Sequence, residues 1–146
     1  MDRKITLREL NNLVRIGKLK KELGTQFEFD GLIHSGRMRL NDAQNDSNSI
    51  EGRFDLAYNA AHAFCLAALR WHGYRSDNRY IVYQVLPHTI GLDSAVWRVL
   101  AKCHDQRNIA EYQGHLEVDE QLLKDLMACA EEVYSAASAL GPVPAD

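Results

Sequence analysis

Residues 50 to 72, IEGRFDLAYNAAHAFCLAALRWH, are apolar on more than one side when wound at helical pitch. Phe54, Ala57, Tyr58, Ala61, Cys65, Ala68 and Leu69 follow one stripe, and Leu56, Ala60, Ala63, Ala67 and Trp71 follow another. A helix with two apolar sides loses too much by facing water, so it must be the centre of a bundle or be covered in a dimer. Its alanines would let neighbouring helices approach closely.

The rest of the chain reads as helices around that one. Residues 6 to 23 start with Thr6 and Glu9 at capping-box spacing, place Leu7, Leu10, Val14 and Gly17 along one side, and stop near Gly24. Asp30 is positioned to cap a second helix with Leu32, Ile33, Gly36, Leu40 and Ala43 on its apolar side. NDAQNDSNS is turn chemistry throughout. HGYRSDN ends the central helix, and a shorter one follows from Arg79, disturbed by Pro87 and closed by Gly91. Ser94 is expected to cap the next, which runs to Gly114; a last helix spans Asp119 to Leu140, before GPVPAD. No segment alternates with period 2 long enough to be a strand. The expected fold is all-α, an antiparallel up-and-down bundle of about five or six helices. With 146 residues and 46% hydrophobic content, the chain suits one domain over 1–146, its core at about 6–140.

No apolar run approaches the roughly 18 to 20 residues that cross a bilayer, and MDRKITLREL has no signal-peptide character, so a soluble cytoplasmic protein is expected. Cys65, Cys103 and Cys129 are odd in number, far apart and on apolar stripes, which points to reduced, buried thiols. No Cys or His pair has zinc-site spacing, and no metal or cofactor is expected. Residues 1–22 hold seven Lys/Arg against three Asp/Glu, whereas residues 111–146 hold one against eight. Such asymmetry fits helices that face one another or solvated surfaces; a nucleic-acid patch at the start would want interleaved aromatics, which are absent.

The chemistry concentrates in residues 103–115, CHDQRNIAEYQGH. On a helix His104, Asn108 and Tyr112 form one ladder, with Arg107 and Glu111 a second beside it. Arg offers a fork to phosphate oxygens, Asn a neutral donor and Tyr a hydroxyl. The same residues also fit an ordinary helix end, in which Arg107 pairs with Glu111 and Tyr112 packs its ring. His62 and Asn59, on the most apolar helix, need hydrogen-bond partners.

The combination of RFDLAYNAAHAFCLAALRWHGYR, YQVLPHTIGL and RNIAEYQG before an Ala-rich terminal helix resembles the HEPN superfamily of small helical bundles, in a branch of prokaryotic stand-alone domains. Arg39 to Ala43 (RLNDA) and AYNA at Ala57 to Ala60 add to the likeness, which runs from about Leu7 to Leu140. The resemblance implies up-and-down helices, homodimerisation, and toxin-antitoxin or defence contexts, with a nucleotidyltransferase or a toxin or antitoxin as partner. Active branches are metal-independent ribonucleases whose Arg-polar motif ends in a His after four to six residues. Arg107 and Asn108 match its start; Tyr112 stands where the His can fall, and His115 comes one position too late.

The leading expectation is therefore a module that binds RNA, nucleotide or a partner through Arg107, Asn108, Glu111 and Tyr112 without efficient catalysis. The second is an endoribonuclease with Arg107 as phosphate clamp and His104 or His115 moving protons. The third is a structural or antitoxin-like interaction protein. Nucleotidylation of Tyr112 also follows from the resemblance.

Overall fold

The computed structural model describes the backbone of residues 3–145 and the side chains of residues 8–145. Seven helices occur among them: α1 (Arg3–Arg15), α2 (Gln26–Ala43), α3 (Ile50–Trp71), α4 (Arg79–Gln84), α5 (Leu86–Thr89), α6 (Ser94–Gln113) and α7 (Glu120–Ser138). The fold is an all-α bundle, the extra count coming from Pro87, which splits the short helical region into α4 and α5.

The doubly apolar helix is α3, and its centre lies within one chain. It packs against α2 and α7 along most of its length and against α4, α5 and α6 on its remaining sides. Phe54, Ala57, Ala60, Ala61, Phe64, Cys65, Ala67, Ala68 and Leu69 are buried to the last few percent or completely. Leu40 and Ala43 of α2, Leu126, Ala130 and Val133 of α7, and Leu100 and Cys103 of α6 close around them. At Gly36 the approach of α2 is so close that a methyl group there would stand 2.5 Å from the Phe64 ring. A bidentate pair from Arg37 to Glu131, at 2.9 Å for both contacts, ties α2 to α7.

The helix starts follow side-chain capping, with two shifts from the sequence expectation. The α2 cap is Thr25, whose hydroxyl accepts from Glu28 N at 3.1 Å, rather than Asp30, which lies inside the helix and accepts from Gln26 Nε2. The α6 cap is Asp93, accepting from Ala95 N, rather than Ser94. In both cases an oxygen one or more residues earlier reaches the free N–H groups first. Ser49, Asn78 and Asp119 cap α3, α4 and α7.

The first helix departs most. It begins at Arg3, so Thr6 lies within it and does not cap it, although the Thr6 and Leu7 side chains fall outside the described residues. It ends at Arg15, not near Gly24, because Gly17 takes φ +79° and turns the chain out of the helix. The residues freed in this way correct the expectation of a strand-free chain. Lys20–Lys21 (β1) pairs antiparallel with Tyr74–Arg75 (β2), with Lys20 opposite Arg75. Two residues each are too few to show a period.

Arg70 holds this strap. Its guanidinium is nearly buried, donates to Glu28 Oε1 at 2.8 Å and to the carbonyls of Glu22, Leu23 and Tyr74, and lies 3.3 Å from Glu22 Oε2. Among the described residues no helix is long and apolar enough to cross a membrane.

Candidate functional site

Polar side chains converge where α3 meets α4 and α6. Asp55, Tyr58, Asn59 and His62 recur every three or four residues along one side of α3, which is the spacing that puts them on a common face. Arg79 and Tyr83 reach that face from α4, and His104 and Arg107 reach it from α6.

Tyr58 is the hub. Its ring is buried, its hydroxyl lies 2.7 Å from His104 Nδ1, and Asn108 Nδ2 lies 3.3 Å from His104 Nε2. Both imidazole nitrogens are therefore engaged. If the Asn108 amide donates, Nδ1 carries the proton and donates to Tyr58. The Arg79 and Arg107 guanidiniums stand 5.4 and 5.7 Å from the Tyr58 ring centroid, within cation–π range. Arg107 Nη1 meets Asp55 Oδ1 at 2.8 Å, so its partner is a carboxylate of α3 where the sequence also allowed Glu111. Arg79 Nη1 donates to Asn59 Oδ1 at 3.2 Å, and Asn59 Nδ2 donates to the Asp55 carbonyl.

Burial sets the titration of this face. His62, edge-on to Tyr83, is pushed down to about 4 by desolvation, with the positive charge of Arg79 and the nearby His104 adding to it. It is neutral at pH 7. The Tyr83 hydroxyl, which has no hydrogen-bond partner of ordinary geometry among the described residues, is pushed far upward by burial and by Tyr58 beside it. The thiols are free; burial raises Cys65 strongly, Cys103 to about 12 and Cys129, only partly buried, to about 11. None is a nucleophile at neutral pH.

The residues singled out in CHDQRNIAEYQGH thus divide. His104 and Arg107 turn inward onto α3, and Asn108 sits at the rim. Glu111 and Tyr112 face solvent, Tyr112 at 95% exposure, so its ring packs under no helix. His115 stands past the left-handed Gly114, 3.5 Å from Glu117, away from the cluster. Asp55, Tyr58 and Arg79 were not expected at the site. The i, i+3, i+4, i+7 run of polar atoms along α3 was the available signal, but Tyr58 also fits an apolar stripe, and nothing local links α4 to it.

Among the described residues no group of three or more His, Cys, Asp or Glu is placed to hold a metal ion. The chain matches no protein-family model, no curated protein and no solved structure with which it was compared.

Proposed function

We propose that the chain is a HEPN-like module that binds RNA or nucleotide through the C-terminal end of α6, as a homodimer in a cytoplasmic toxin-antitoxin or defence setting, without efficient catalysis. The observation that carries this reading is the solvent-exposed Tyr112 ring one turn beyond Asn108 on the helix that also carries Arg107. An exposed aromatic offers a base a stacking surface worth about 1–3 kcal/mol. The Arg107–Asp55 pair is a third to a half exposed, which limits its worth to about 1 kcal/mol and lets a phosphate compete for the guanidinium. Ile109, also exposed on this helix end, extends the apolar surface that a second copy would cover.

Fluorescence anisotropy with labelled single-stranded RNA tests it. Tyr112→Ala and Arg107→Ala should each weaken binding by about tenfold with helical content unchanged. Wild-type protein that leaves RNA unbound at low salt sinks the reading.

One observation favours an endoribonuclease instead. The contact from Asn108 to His104 Nε2 is long and at the surface, so its opening would offer an imidazole one turn from Arg107. Cleavage by clean protein, abolished by His104→Ala, would establish that activity; intact RNA after prolonged incubation would dismiss it. His115, held outside the cluster, is not expected to contribute.

A further inference from the structure

A cavity of about 250 Å³ lies beside the Tyr58 cluster, between α3, the β2–α4 loop and the start of α2. Its wall holds Arg70, Arg75 and Arg79, the His62 ring and the Leu66 side chain, with Glu28 and Asp77 also lining it. The charges are not equivalent. Arg70 is spent on Glu28 and three backbone carbonyls, and Arg75 pairs with Glu22 at 3.0 Å. Arg79 differs: among the described residues no carboxylate lies within ion-pair distance of it, and its one hydrogen bond is to the neutral Asn59 amide. Half-buried cations without a counter-charge are costly unless something supplies one. Next to it, His62 makes no hydrogen bond among the described residues, although it lines the cavity.

The geometry points to a binding site for a small oxyanion-bearing molecule, a carboxylate or a phosphomonoester, with the Arg79 guanidinium as counter-charge and the His62 ring N–H as a neutral donor. The depressed protonation of His62 fits this division, because an imidazole kept neutral by burial, and further by the adjacent Arg79, offers one N–H without adding a second charge. The volume sits below the roughly 300–1,000 Å³ of drug-sized sites, which selects a small metabolite over a nucleic-acid strand. Leu66 supplies an apolar wall for its carbon skeleton. Asp77, exposed at the cavity wall, opposes the approach of a highly charged anion, so removing its charge should tighten binding. The site is independent of the Arg107 reading, since neither Arg79 nor His62 belongs to the α6 surface.

Inorganic phosphate and acetate serve as separate probes, titrated into full-length protein while the histidine ring resonances are followed by NMR. At least one should shift the His62 ring saturably, phosphate alone marking a phosphomonoester site and acetate alone a carboxylate site. Arg79→Gln should weaken that anion by about tenfold, while Asp77→Asn tightens it a few-fold. His62→Phe keeps the ring edge against Tyr83 but removes the donor, and by calorimetry should lower affinity by roughly five- to tenfold. Arg107→Ala should leave the His62 response in place. The proposal is overturned if neither anion moves His62 saturably, if affinity is unchanged in both Arg79→Gln and His62→Phe, or if the His62 response disappears in Arg107→Ala.

Discussion

His62 shows how one side chain carries burial into a measurable pH dependence. In the unfolded chain an imidazole titrates near 6.5, whereas in the fold it is held to about 4 by desolvation and Arg79. The unfolded state therefore takes up a proton first as pH falls. The folded state keeps its full advantage above about pH 6.5 and loses it progressively toward pH 4, by roughly 2–3 kcal/mol for this residue. Chemical denaturation at pH 7 and pH 4.5 should show that loss, and His62→Gln should flatten the difference; an equal loss in both proteins would assign the acid sensitivity to other groups. The sequence identified His62 as a polar group on an apolar helix that needs a partner. It could not show that the neighbour is a cation which suppresses protonation, because Arg79 lies on another helix.

At the scale of elements, helix pairing rests on close approach as much as on apolar area. The contact of α2 with α3 at Gly36 leaves no space for a Cβ, and the obstructing atoms belong to Phe64, a ring buried completely in the core. Gly36→Ala should therefore lower stability despite alanine's better helix propensity, by about 1–3 kcal/mol from forced displacement of the ring. A neutral or stabilising result in urea unfolding would mean that the two helices separate freely. Gly36 was legible as part of an apolar side of α2, and the alanines of α3 as an invitation to close packing. The α1 boundary was not legible in the same way, since its apolar spacing continues past Arg15. The left-handed turn at Gly17 and the pairing of Lys20–Lys21 with Tyr74–Arg75 win there, and the second of these is a contact some fifty residues away in sequence.

For the whole molecule, Arg70 fastens the N-terminal segment to the bundle. Its partners are Glu28 and the carbonyls of Glu22, Leu23 and Tyr74, gathered from both sides of α3's C-terminal end. Arg70→Ala would strand these groups and should cost about 3 kcal/mol or more, with hydrogen exchange rising first at residues 20–24 and 74–75. Unchanged exchange in that segment would show the strap to be held by other contacts. The sequence by itself determined the all-α bundle, the central place of residues 50–72, and the helices α3, α6 and α7 with both ends near their observed positions, because hydrophobic period and local capping act within a few residues. It also singled out His104, Arg107 and Asn108 as a polar band. Only the tertiary structure decided that Arg107 faces Asp55, that Tyr58 joins His104 to two guanidiniums, and that Tyr112 stands free. Those outcomes depend on which faces of α3, α4 and α6 meet, and the meeting is set by burial of the whole apolar surface at once, which no single stretch of sequence encodes.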